Sequence, residues 1–413
     1  MHRNFIRFLG GAASAAILLL VLYFLPPIHA RLAWRIDFAT TYVLSALHPA
    51  GDLPTPLPVA TSTPGPTRTA TGLPTPLPTP STPEPTQAPT PTLAPPPAQA
   101  VVAAPKWEEQ GINNCGPTTL SMYLRFYGWE GDQYAITEVI KPKPEDRNVN
   151  VEELAYFTRT HVGWLNYEYR LGMDLESIKR VVAAGIPAMI EETFMMNESY
   201  WPNDDRWAGH YLLITGYDDP AGVFTTQDSF VGANRKVAYK DLDQNWKAFN
   251  RVLILVYPPE MQDTIKTILG ADWDVDANRA NALRRAQAET QANPKDAFAW
   301  FNVGTNLTYF ERYSEAGDAY DQARSLGLPQ RMLRYQFGPF IAYFHTGRME
   351  DLRALTDYAL QRTRNSEEAL LWQGWMLYRQ GDRVGAEADF KKALEENSSY
   401  QDARYALDFL SNN

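Results

Sequence analysis

The sequence predicts an α+β domain followed by an all-α repeat region, both set behind an apolar amino-terminal segment and a Pro/Thr-rich stalk. Three observations lead there. The middle of the chain opens with helix-like apolar spacing and closes with strand-like runs separated by turn residues, the order of an α+β domain rather than of alternating α/β units. The last third carries glycines at a helical-repeat spacing: Gly270, Gly304 and Gly338 lie 34 residues apart. About half of the 31 prolines crowd between residues 52 and 100.

Four hundred and thirteen residues exceed what one core encloses, so at least two domains are expected. The formal net charge of −10 argues against a nucleic-acid-binding face. One cysteine, Cys115, cannot form an internal disulfide or a thiolate metal cage. The scattered histidines and the lack of a phosphate-binding Gly-rich loop leave no metal or cofactor implied.

The element at 1–30 has Arg3 and Arg7 before an uncharged run from Leu9 to Leu25. Seventeen apolar residues sit at the lower limit for spanning hydrocarbon. The run reads as a membrane anchor, or alternatively as a signal peptide cleaved after Ala30. Either reading places the remainder outside the cytoplasm, on the cell membrane or secreted. Residues 31–52 form a juxtamembrane segment, read as a helical extension of the anchor. Residues 53–104 read as a disordered linker: Thr-Pro alternation removes backbone donors and favours polyproline II, about 100–150 Å long at ~3.1 Å per residue.

Residues 105–262 make the α+β domain. "CGPTTLSMYLRFYG" predicts a helix opening at Cys115, with Leu120, Tyr123, Leu124 and Tyr127 at helical spacing and Gly128 at its end. Asp174 caps a second helix that leads into a strand. "HYLLITGYDD", "VFTTQDSF" and "RVLILVYPP" read as strands.

Residues 263–413 resemble the tetratricopeptide repeat. Trp300, Gly304, Ala316, Tyr320 and Ala323 fall at the contact positions of one helix pair. Gly374, Ala386, Phe390 and Ala393 do so in a second. "QDARYALDFLSN" would be the capping helix such stacks need. The repeats are expected to offer a groove for a peptide or protein partner.

A thiol at a helix start is activated by unpaired amides and the macrodipole, and Cys115 has that place. Pro117 fits the first turn. Acyl transfer by Cys then needs a base. His161 reads as a surface or capping residue, which leaves His210 at the start of a strand. Asp228 on the next strand would orient the imidazole, with Asp218 and Asp219 assigned to a turn. Gln110, five residues before Cys115, could donate to an oxyanion. Gly116 would let a substrate approach the backbone. Gly209 precedes the base, and Trp201 and Trp207 in the loop before it would line a cleft with Tyr200. Glu191 and Glu192 could sit on a strand near the site, with a surface or edge role the preferred reading.

The order Q-x4-C-G-P-T-T-L, G-H-Y-L-L-I-T-G-Y-D-D, T-Q-D resembles the papain-like cysteine peptidases related to double-glycine leader (bacteriocin-processing) peptidases. The resemblance covers about 105–258 and implies a papain-like fold with Cys115, His210 and Asp228 as triad and Gln110 at the oxyanion hole. Two positions depart from the pattern: Ser229 stands where the family often has Pro, and Gln110 lies one residue closer to the Cys than usual. The family's transporter is not in this sequence, so cleavage at a double glycine is not implied. The expected function is a thiol hydrolase, a cysteine peptidase acting on a peptide or protein substrate. A catalytically silent binding module and a thiol-dependent acyl or amide transferase are the alternatives.

Overall fold

Strands with apolar inner faces assemble the sheet on which the site is built. The computed structural model describes residues 26–49, 51–58, 94–143, 146, 148–199 and 201–412. Strand β1 is Gln99–Val101, β2 Asn166–Arg170, β3 Ala188–Met195, β4 Trp207–Asp218, β5 Val223–Asp228, β6 Gly232–Ala238 and β7 Leu253–Tyr257. They form one antiparallel sheet in the order β2-β7-β3-β4-β5-β6, with β1 also on β4. β4 is the spine. β5 occupies one of its edges, while β3 pairs along 207–214 and β1 along 216–218 of the other.

Helix α1 is Pro26–Leu47, and α2 is Cys115–Phe126, with its inner residues buried and Gly128 closing it at φ 87°. The hydroxyl of Thr119 donates to the Tyr211 carbonyl and ties α2 to β4. Helices α3 (Gln133–Ile140), α4 (Val151–His161) and α5 (Leu175–Ala183) are capped by Asp132, Asn150 and Asp174. Each cap supplies the acceptor that the first turn lacks. His161 ends α4, stacked on Phe157 at 5.0 Å. Helix α6 (Tyr239–Trp246) leads into β7.

The rest is all helical: α7 Gln262–Leu269, α8 Val275–Ala292, α9 Ala297–Tyr309, α10 Tyr313–Leu326, α11 Met332–Tyr335, α12 Gly338–His345, α13 Met349–Arg362, α14 Glu367–Arg379, α15 Arg383–Glu396 and α16 Gln401–Asn412. A Cβ on Gly304 would fall 2.6 Å from the Tyr320 ring, and one on Gly374 2.5 Å from Phe390. Glycine is therefore what lets α9 meet α10 and α14 meet α15. Gly270 does not share that role, despite its spacing: it ends α7 with φ 56° and has open space around it.

The helical region and the sheet domain share one apolar core, from Leu53 to Met376. Polar contacts reinforce it. Asn278 and the Leu171 backbone bond each other both ways, at 2.9 and 3.0 Å. Lys247 pairs with Asp296, and Arg331 with Asp204. A further buried cluster joins Glu153 of α4 to Glu367 through the Asn397 amide, at 3.1 and 3.0 Å.

Three expectations change. No helix among the described residues is long and apolar enough to cross a membrane, which overturns the single-pass membrane placement. The Leu9–Leu25 run, on which that expectation rested, lies outside the described residues. Within the segment assigned to the linker, Gln99–Val101 is a strand of the sheet, because its backbone finds a free edge on β4. Leu53 of the same segment is buried against the helical region, while residues 59–93 lie outside the described residues.

Candidate active site

Cys115 is the first residue of α2, so its own N–H has no acceptor within the helix. The loop before it is held from both sides. Asn113 adopts φ 52°, a left-handed turn that Asn tolerates. The Lys141 ammonium donates to its carbonyl at 2.8 Å. Gln133 Oε1 accepts from the Gly111 N–H and the Asn114 amide, each at 2.7 Å. Gln133 Nε2 in turn donates to Glu108 at 2.9 Å, and Glu108 accepts from Ser121 and Arg125 of α2. The nucleophile loop is thereby fixed to the helix it starts.

His210 lies on β4 and is 3% exposed. Its Nε2 is 2.9 Å from Asp228 Oδ1, and the ring borders the same cleft as Cys115. Asp228 is fully buried yet completely satisfied. The backbone N–H groups of Phe230 and Val231 donate to Oδ1 at 2.9 Å, and Arg235 of β6 donates to Oδ2 at 2.7 Å. The tight β5–β6 connection makes this possible, since it returns the chain under its own carboxylate. Trp107 donates its indole N–H to the Asp228 carbonyl at 2.9 Å.

These contacts set the charges. Burial works against the Cys115 thiolate, but the hydrogen bond and charge of His210, a backbone bond from Tyr211 and Lys141 pull the thiol below its ordinary value. Burial would likewise keep His210 neutral, yet the bonds to Asp228 and Cys115 push it up to about 10. Asp228 is held well below the carboxylate range: its burial is outweighed by His210 and by the two N–H donors. These directions favour a thiolate–imidazolium pair with a carboxylate behind it.

Gln110 is anchored by Ser229. Its N–H donates to the Ser229 carbonyl and its Oε1 accepts from the Ser229 hydroxyl, both at 2.9 Å. The two positions that depart from the family pattern thus bond each other. With Oε1 occupied, the amide N–H₂ is the end of Gln110 left for the cleft.

The cleft beside Cys115 has a volume of about 250 Å³ and is bordered by Gln110, Gly116, Trp201, Gly209 and His210. Gly116 also packs closely, since a Cβ there would sit 3.2 Å from the Tyr211 ring. A Cβ on Gly209 would come within 2.7 Å of Phe249 and 3.1 Å of Tyr335, so this glycine is needed for packing as well. Trp207 is placed elsewhere. It stacks on Phe249 at 5.8 Å and on Phe298 at 6.4 Å, as a pillar between the two regions. Tyr200 lies outside the described residues. Glu191 and Glu192 are not surface residues: both are buried on β3. Burial and the Cys115 charge hold Glu191 well above the usual carboxyl range. Glu192, opposite His210 in register, is pushed up to about 7, chiefly by burial.

Sequence reasoning missed Glu108, Gln133, Trp107 and Arg235. Glu108 lies in the irregular segment before α2 and Gln133 opens α3, with only their polarity to mark them, and Arg235 has only its position just past a Gly-containing turn. It also missed the wall supplied by the helical region, Arg331, Arg334 and Tyr335. Nothing local in "RMLRYQF" could announce contact with a cysteine some 220 residues earlier.

An antiparallel sheet with a cysteine opening a helix and a histidine and aspartate on adjacent strands is a papain-like arrangement. Residues 95–254 match the model of the Peptidase_C39 like family. No curated protein matches the chain. Two solved structures align with 38% of it. One, from Bacillus anthracis and described as a C39-like peptidase, is 15% identical over 96% of its own length, with a TM-score of 0.31. The other is a double glycine motif protease from an AMS/PCAT transporter in complex with the leader peptide, 13% identical over 94% of its length, with a TM-score of 0.28.

Proposed function

We propose that the chain is a thiol hydrolase that cleaves peptide bonds with Cys115 as nucleophile, His210 as acid and base, Asp228 as orienting group and Gln110 at the oxyanion. The observation that carries this reading is the His210–Asp228 hydrogen bond at 2.9 Å in the cleft that Cys115 also borders, with His210 drawing the thiol down against burial. A silent binding module has no need of an activated thiol.

The Cys115 thiolate adds to the scissile carbonyl. The Cys115 N–H and the Gln110 amide N–H₂ receive the developing oxyanion. His210 passes its proton to the leaving amine, leaving an acyl-thiol. It then removes a proton from water, which hydrolyses the thioester and restores the thiol. The substrate is a peptide or protein segment threaded along the cleft, one wall of which the helical region supplies.

The test is an internally quenched peptide library with wild type, Cys115→Ala and His210→Ala. Hydrolysis by wild type alone supports the reading. Labelling of Cys115 by a thiol-directed probe with no cleavage of any peptide, but transfer to an added amine, would favour the transferase alternative.

A further inference from the structure

Gly51–Pro58 lies along the helical region between α10 and α13, and its backbone is read group by group. Arg324, whose side chain is 1% exposed, donates from Nε to the Pro54 carbonyl at 2.9 Å and from Nη2 to the Thr55 carbonyl at 3.0 Å. Asp351 accepts the Leu57 N–H at 3.2 Å. The Tyr358 hydroxyl and Arg362 both donate to the Gly51 carbonyl at 3.2 Å. Leu53 is 5% exposed.

The pattern suits a proline-rich segment. Pro54, Pro56 and Pro58 have carbonyls but no N–H, so the segment offers mostly acceptors. The groove answers with a planar guanidinium fork for two successive carbonyls and one carboxylate for a remaining N–H. The Arg324–Asp351 pair, at 2.9 Å, is itself buried. A buried ion pair is tolerable only when its remaining donors are satisfied, and the segment satisfies two of those on Arg324.

Leu53–Pro58 reads Leu-Pro-Thr-Pro-Leu-Pro, and the same six residues recur in the same order at Leu73–Pro78. The groove's polar contacts are to backbone atoms, and Leu73 repeats the buried side chain of Leu53. We propose that the groove is a recognition site for Leu-Pro-Thr-Pro-Leu-Pro and that Leu73–Pro78 of the same chain is its alternate occupant. The choice of occupant sets the tether of α1. With Leu53–Pro58 seated, α1 ends four residues from the groove margin at Gly51 and stands against the cleft, Phe38 packing on Trp201 at 4.7 Å. With Leu73–Pro78 seated, twenty more residues separate α1 from the groove, about 60 Å of extended chain at ~3.1 Å per residue. The contact with Trp201 is then no longer imposed by the tether.

The experiment uses the full chain. A benzophenone side chain replaces Leu77, and photo-crosslinks are mapped by mass spectrometry in the otherwise native chain and in a Leu53→Asp, Leu57→Asp background. The second background should raise the yield of intramolecular crosslinks from position 77 to α10 and α13 at least about fivefold. In a chain with Leu53, Leu57, Leu73 and Leu77 all replaced by Asp, a labelled peptide of residues 72–80 should bind in trans. Arg324→Lys, which keeps the charge and loses the fork, should weaken it about tenfold, while a peptide with both leucines replaced by Asp should not bind. Thermal melting checks that each variant is folded. Failure of position 77 to reach α10 or α13, or absence of peptide binding to the folded quadruple variant, overturns the proposal. Crosslinks at dimer mass overturn it too, because they assign the groove to a second copy.

Discussion

Replacing His210 by Ala tests the charge state of the site most directly, because Cys115 is the only thiol and any alkylation reports on it alone. In the native chain the imidazolium and Lys141 hold the thiol below its ordinary value against burial. Removing His210 leaves burial dominant, and the thiol rises. Each unit of that rise is worth about 1.36 kcal/mol. It lowers the thiolate fraction at acidic pH tenfold, while the more basic thiolate gains about threefold in intrinsic reactivity, a net loss of about threefold per unit. The assay is the rate of alkylation by iodoacetamide from pH 5 to 9. The native chain should show a rate that levels off at a lower pH than an unperturbed thiol does. The variant should be slower at pH 6 by at least about threefold and climb steadily to pH 9. Superimposable profiles for the two folded proteins would refute the ion pair and, with it, the reading of Cys115 as an activated nucleophile.

Other consequences follow from named contacts. Ser229→Ala frees the Gln110 amide, and since one such hydrogen bond is worth about 1 kcal/mol, kcat should fall about fivefold with KM nearly unchanged. An equal fall in the Gln110→Ala background would disprove the coupling. Arg334 borders the cleft with its Nε buried and no side-chain partner among the described residues. Arg334→Met should therefore lower the ratio of iodoacetate to iodoacetamide rates at Cys115 several-fold, and an unchanged ratio would remove Arg334 from the field of the site. Burial first, then repulsion among Glu153, Glu367, Glu368 and Asp146, raises Glu153 and Glu367 well above 4.5 and Glu368 to about 7. The folded chain then binds more protons than the unfolded one between pH 4.5 and about 7, so stability is lost as pH rises through that window. The melting temperature should be higher at pH 5.5 than at pH 8, and Glu368→Gln should flatten the difference. Gly304→Ala forces a methyl into the Tyr320 ring and should cost about 1–3 kcal/mol, read as a lower melting temperature with alkylation of Cys115 unchanged.

The sequence alone was enough for everything carried by local chemistry. Cys115 opens its helix because Gly-Pro follows it and an apolar stripe at 120, 123, 124 and 127 comes next. Asp174 is a cap because Asp before a periodic run accepts the first amides. His210 and Asp228 could be paired on paper, because antiparallel neighbours eighteen residues apart converge when the turn between them is short. Only the tertiary structure decided what those residues touch. Trp207 and Trp201 look alike in sequence, yet one is a pillar packed on Phe249, Phe298 and Tyr335 and the other a cleft wall. Glu191 and Glu192 read as surface or edge residues but are buried on β3, Glu191 bordering the cleft and Glu192 opposite His210 in register. Gly270 keeps the repeat spacing without the repeat's role, as period alone cannot report whether an aromatic ring waits opposite. The groove for Leu53–Pro58 could not be read at all. Its donors come from helices some 270 to 310 residues further on, and a proline-rich segment shows its hydrogen-bonding needs only when the partner is in place.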